Sequence, residues 1–417
     1  MKRFIIIVLT AILLVPMTAC SDWFTPREKN TRMVLLYIAA TERALSPYAD
    51  GNISDMLREY VPSKKSKDQQ LLVFFQNLDT DSPTNRSDAT LTRYYTSNSG
   101  KIVAELVSNF GNEFDAADPE SLAKVLKLAE STCKPTTRCM LISSHGTGAL
   151  PIGYFDGDGE KSSDAFSISR ASYSEGDAPA INPSRMAMRE SIAYDSHSHN
   201  EIDIRDFARV LGEYHWESVL LDCCYMGAVE VAYQMRQCCD YIIGSPTEIL
   251  ITGFPYPVIL DQLFNHPGEE GLKAICQAYY DLYQSQTGAL QSGTIALVNC
   301  SEMDALADIC ADITASRRSE MEAVKRLNVQ HYYYNSRKDY FFDLGHYFEL
   351  FASEEQYERF SAQLDKAVPF KASTKQFLGI NIEHYSGLSC YVPSASYPIL
   401  NAYYKQLAWN QRVKILE

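Results

Sequence analysis

Short, mainly apolar runs recur along the chain. Residues 33–39 (MVLLYIA), 71–75 (LLVFF), 140–143, 219–222 and 241–244 are the length and style of strands buried on both faces of a parallel sheet. Between them lie stretches with helical spacing: 102–110, 204–211 and 228–238. Another helix opens at Asp118-Pro119-Glu120, with a capping side chain, a proline at the first position and acid in the first turn. Strands alternating with helices predict an α/β fold, a mainly parallel sheet with helices on both faces. Beyond Gln262 helical patterns dominate, at 271–284, 302–326 and 353–367, and a last strand-like piece spans 388–392. Residues 154–200 break the rhythm; they are rich in Ser, Asp, Gly and Ala and read as a long connection between two strands. No repeat at a solenoid period is present.

Composition narrows the classes. Of 417 residues, 46% are hydrophobic and 22% charged, ordinary globular usage. Lys and Arg total 38 against 52 Asp and Glu, a net charge of −14 with no basic run, which argues against nucleic acid as a partner.

The first residues, Met1-Lys2-Arg3, precede an apolar run from Phe4 to Val15 and then Met17-Thr18-Ala19-Cys20. This is the order of a secretory signal, too short to span a bilayer. The cysteine after Thr18-Ala19 resembles a lipobox, which implies cleavage before Cys20 and lipid on its N-terminus. The expected layout is a signal peptide over 1–19, a polar tether over 20–31, a catalytic unit over 32–262 with 154–200 inserted, and a mainly helical region over 263–417 completing the same fold. A lipid on Cys20 makes the membrane a partner and the bacterial cell envelope the expected location.

Ten cysteines follow Cys20. A chain of this length buries enough core to stand without disulfides. Cys133 and Cys139 flank a turn and could pair, whereas the neighbours Cys223-Cys224 and Cys238-Cys239 are poor partners for each other. No zinc-type Cys/His spacing occurs.

Two strand ends carry chemistry. Ser143-Ser144-His145-Gly146 follows one apolar strand, and Asp222-Cys223-Cys224-Tyr225-Met226-Gly227 follows another. Ligands of open α/β sheets gather at the carboxyl ends of strands, where a cysteine and a histidine can form a nucleophile and its base. The competing reading is a packed cysteine and a satisfied turn histidine.

His-Gly after one strand, with Asp-x-Cys-x-Met-Gly after the next core strand, resembles the clostripain family of cysteine peptidases, of the caspase-like group. The likeness runs in order from 32 to 394 and includes Val34–Ala39, Asp118-Pro119-Glu120, Tyr194-Asp195, Gly253-Phe254-Pro255-Tyr256 and Gly387–Pro393. It implies a caspase-like three-layer α/β/α sandwich and a Cys-His dyad. Cys224 would be the nucleophile, His145 the base, and the N–H groups of Gly146 and Cys224 the oxyanion hole. Cys223 stands where the family has a small residue. Cleavage after Arg or Lys is the family habit; Asp222 matches one pocket acid, Thr252 stands at the second, and Glu248 could substitute for it. Related enzymes are cut between base and nucleophile, and the insertion offers Lys161, Arg170, Arg185 and Arg189.

No cofactor is expected. Calcium, used by some relatives, is the one ion to consider, since Asp156, Asp158, Glu160 and the run from Asp195 to Glu201 are rich in oxygen ligands but lack the EF-hand pattern. The functional expectation is a lipid-anchored cysteine endopeptidase acting on proteins or peptides. The alternative is a non-catalytic surface lipoprotein using the same fold to bind peptide or glycan.

Overall fold

The computed structural model describes residues 31–41, 45–79, 85–154, 192–194, 198, 200–333 and 339–417. Its frame is one nine-stranded sheet. The first half of the chain supplies β1 (Arg32–Ala40), α1 (Ser46–Glu59), β2 (Gln69–Asn77), β3 (Ala89–Thr96), β4 (Ile102–Gly111), α2 (Pro119–Cys133) and β5 (Thr137–Ser143). A two-stranded sheet, β6 (Ile192–Tyr194) and β7 (Glu201–Ile202), precedes α3 (Ile204–Leu211), β8 (Trp216–Asp222), α4 (Val229–Met235) and β9 (Cys239–Gly244). Then come α5 (Tyr256–Asn265), α6 (Glu269–Gln284), β10 (Thr294–Asn299), α7 (Met303–Ser316), α8 (Arg318–Glu322), β11 (Phe342–Asp343), α9 (Leu344–Glu349) and α10 (Glu354–Ala367). The chain closes with β12 (Phe370–Ser373), the hairpin β13 (Gln376–Phe377) and β14 (Ile380–Asn381), β15 (Ser389–Cys390), α11 (Pro398–Tyr404) and α12 (Ala408–Val413).

The sheet order is β12-β10-β9-β8-β5-β1-β2-β3-β4. The five central strands, β9 to β2, run parallel, and the antiparallel strands sit at the two edges. Alternation along β1 sends Met33, Leu35 and Tyr37 to one core and Val34, Leu36 and Ile38 to the other. The first core is covered by α2, α3, α4, α7, α10 and α12, the second by α1, α5 and α6. This is the expected three-layer α/β/α sandwich. The region after residue 262 supplies both helices and two sheet strands, β10 and β12.

Local signals hold at the helix starts. Asp118 caps α2 through the Ser121 N–H (2.8 Å), and Ser353 and Gln356 form a reciprocal capping box on α10.

Residues 102–110, expected as a helix, form the edge strand β4. Ile102 and Leu106, four apart, imitate helical spacing, but both are exposed (49% and 60%), while Val107 and Phe110 of the same strand pack against the first core. The β-branched Ile102 and Val103 suit the pairing with β3, in which Arg93 stands opposite Glu105. The expected strand at 388–392 is reduced to the short β15, paired with β11.

Cys133 and Cys139 are not bridged; all ten described cysteines are free. Cys139 lies in β5 beside Arg32 and Glu217, with its sulfur 3.2 Å from Arg32 Nη1, while Arg32 Nη2 donates to Glu217 Oε1 at 3.0 Å.

Candidate active site

The chain passes from β1 to β2 on one side and later places β5 on the other, so the carboxyl ends of β1 and β5 frame the topological switch point. β8 lies beside β5 with Ser143 opposite Asp222. That register brings the two strand ends level and starts both chemistry-bearing turns from the same edge.

The turns touch. A Cβ on Gly146 would lie 2.5 Å from the Cys224 carbonyl oxygen, 2.8 Å from Cys223 Cβ and 3.0 Å from the Cys224 nitrogen. Only a residue without a side chain allows this approach. His145 is buried just before it, and Ser144 is tied down by its hydroxyl donating to the Ala39 carbonyl (2.9 Å). Gly227 is needed for the same reason, since a Cβ there would lie 2.5 Å from the Pro246 nitrogen.

The two adjacent cysteines point to different places. Cys223 is buried in the core with its thiol 3.7 Å from the Ile142 carbonyl. Cys224 is half-buried, and its sulfur receives the Ile249 N–H at 3.3 Å. A backbone N–H aimed at sulfur favours the charged thiolate, the reactive form.

Asp222 is fully buried two residues earlier. Its Oδ2 accepts the Ser143 hydroxyl (2.8 Å) and the Tyr256 hydroxyl, and Asn52 Nδ2 donates to that Tyr256 oxygen at 3.1 Å. A narrow crevice beside this group is lined by Ile38, Ala40, Asn52, Ser143 and Ile251. Thr252 is exposed in the turn before Gly253. Glu248 is buried and directed at the Cys224 turn, where its Oε1 accepts the Tyr225 hydroxyl at 2.9 Å. The bonds that Ser143, Tyr225, Ile249 and Tyr256 make here have no signature in the sequence, because each joins segments with no fixed spacing.

Cys20, the insertion residues Asp156, Asp158, Glu160, Lys161, Arg170, Arg185 and Arg189, and Asp195, His197 and His199 lie outside the described residues. Glu201 is buried and accepts the Gly153 N–H at 3.0 Å. Elsewhere, among the described residues, His346, Glu349 and His384 bring ligand atoms together. Their imidazoles stack face to face at 3.6 Å and 9°, and His346 Nδ1 accepts the Gln330 N–H. In-plane lone pairs on parallel rings do not converge on one ion, so the group is a poor metal site. No described helix is long and apolar enough to cross a membrane.

Residues 173–384, just over half of the chain, match the family model of the clostripain family. Among solved structures, an inactive zymogen C11 protease from Parabacteroides distasonis is 27% identical, with a TM-score of 0.72 over 92% of this chain and 98% of its own. A secreted C11 cysteine protease from Bacteroides thetaiotaomicron is 25% identical, with a TM-score of 0.70 over 92% and 99%. A C11 cysteine protease from the same organism, in complex with an irreversible peptide inhibitor, has the same fold at 22% identity and a TM-score of 0.71, covering 92% and 99%. No curated protein matches the chain. The chain belongs to the clostripain family of cysteine peptidases.

Proposed function

We propose that this peptidase is an endopeptidase working through Cys224 and His145. The observation that carries the reading is the contact of Gly146 with the Cys223–Cys224 peptide, which sets the turn of His145 against the turn of Cys224. Cys224 Sγ gives its proton to His145 and attacks the substrate carbonyl carbon, while the N–H groups of Gly146 and Cys224 receive the developing oxyanion. His145 passes the proton to the leaving amine as the C–N bond breaks, leaving a thioester on sulfur. Water, deprotonated by His145, attacks the thioester, and the proton returns to sulfur as the acid leaves. The pair works as a dyad.

Cleavage after Arg or Lys is part of the proposal. A buried carboxylate at Asp222, held by neutral hydroxyls, is a fit partner for a guanidinium or ammonium group. Thr252 adds no charge to that pocket, so Asp222 carries the preference alone. Export with a lipid on Cys20 completes the reading, supported by the sequence around Cys20 and by the secreted relative.

Hydrolysis of a mixed library of short fluorogenic peptides, with Cys224→Ala beside the parent, tests the activity. Turnover after Arg or Lys that vanishes in the variant is the expected result. Turnover after other residues removes the role of Asp222, and none at all favours a binding protein. A fatty-acid label retained by the chain and lost in Cys20→Ser tests the anchor.

A further inference from the structure

Tyr225, the residue after Cys224, has φ +61°. Side chains other than glycine's are strained there, and such strain persists only where the surroundings over-determine it. Four contacts do so. The Tyr225 N–H donates to the Thr247 carbonyl (2.9 Å), its hydroxyl donates to Glu248 (2.9 Å), and its ring stacks on Phe341 at 4.1 Å and 8°. Two residues on, the Gly227 N–H donates to the Ser245 carbonyl at 2.8 Å. The segment that receives these bonds continues to Ile249, whose N–H reaches Cys224 Sγ. Phe341 also lies against the His145 turn, because a Cβ on Gly148 would stand 3.0 Å from its ring.

We propose that Tyr225 is a positioning residue: fixed between Glu248 and Phe341, it holds the left-handed turn that sets the Cys224 sulfur against the Ile249 N–H. The left-handed residue turns the chain directly after the nucleophile, so freeing its side chain lets the sulfur swing away from its donor. Phe341, touching both turns, keeps them in step. Glu248 then serves the nucleophile turn and not the substrate pocket. The inference rests on Cys224 being the nucleophile.

The test compares the parent with Tyr225→Phe, Tyr225→Leu and Glu248→Ala by three readings. These are kcat and KM taken separately, the thermal midpoint, and the pH dependence of iodoacetamide alkylation at Cys224. Tyr225→Leu should lower kcat about 30-fold with KM within about twofold, the pattern of a lost transition-state arrangement. Its alkylation midpoint should move up by about one pH unit, as the thiolate loses a donor. Tyr225→Phe and Glu248→Ala should each give a smaller shift in the same direction, and the double variant no more than the larger single one. A lowered thermal midpoint with unchanged kcat and alkylation profile overturns the inference. If Tyr225→Leu does not fold, the Phe and Ala variants decide by the same readings. A parent enzyme that is not labelled at Cys224 by a peptide probe sinks the nucleophile assignment instead, a separate failure.

Discussion

Gly146 and Cys224 meet backbone to backbone, so closely that a methyl group on Gly146 would stand 2.5 Å from the Cys224 carbonyl oxygen. Two strands that are far apart in sequence thereby deliver one site. Gly146→Ala must push the turns apart, and a displacement of about 1 Å at a reacting centre costs on the order of 100-fold in rate. We expect kcat/KM on a peptide substrate to fall by at least that factor. Activity within about threefold of the parent would show that the turns need not touch.

The cysteines should sort by reagent. Among the described residues only Cys133 and Cys224 are half-buried; the other eight are buried. Burial pushes the Cys133 thiol up to about 11, against the opposing pull of Arg93. It is therefore mostly protonated and slow near neutral pH. Burial, with Glu217 adding to it, pushes the Cys139 thiol up to about 12. Brief alkylation of the native protein followed by peptide mapping should find Cys224 modified first. Equal labelling of Cys223 would place the reactive thiol wrongly.

Asp222 should set the preference at the cleaved bond. Asp222→Asn keeps the shape and the hydroxyl partners but removes the charge, and should lower kcat/KM for Arg or Lys substrates about 100-fold. Substrates with neutral residues at that position should change little. An equal loss on both would assign Asp222 to holding the turn through Ser143 and Tyr256.

Glu230 gives a pH dependence of stability. It is buried in α4 and accepts the Tyr391 N–H at 2.9 Å; burial raises its carboxyl from 4.5 to about 7, with that bond opposing. The unfolded chain releases this proton first as pH rises. Stability is therefore greatest below the unfolded value, falls between about pH 4.5 and 7, and levels off above. The loss is on the order of 3 kcal/mol. Glu230→Gln should flatten this fall, seen as a smaller difference between urea midpoints at pH 5 and pH 8. An unchanged difference would mean that Glu230 ionises normally in the fold.

The central strands were legible because burial on both faces leaves an unbroken apolar run, as in Val34–Ile38 and Val219–Leu221. The edges were not. Ile102 and Leu106 in β4 are exposed, so their four-residue spacing reports no buried face, and β3 went unseen beside them. The same holds at the site. His145, Gly146 and Cys224 stand in recognisable motifs at strand ends, whereas the bonds of Tyr256 at the start of α5 to Asp222 at the end of β8, and of Ile249 to Cys224, join segments with no fixed spacing in the sequence. Glu248 lies four residues before Thr252 in the sequence, whereas its bond to Tyr225 joins two segments that no sequence spacing brings together.

The most direct test of the account is to treat the native protein with a short peptide carrying Arg at its reactive end and a thiol-directed electrophile, then locate the adduct by mass spectrometry. The account predicts a single adduct on Cys224, formed in the Cys223→Ala variant and greatly slowed in His145→Ala. An adduct on any other cysteine, or labelling of Cys224 that is indifferent to His145, would contradict it.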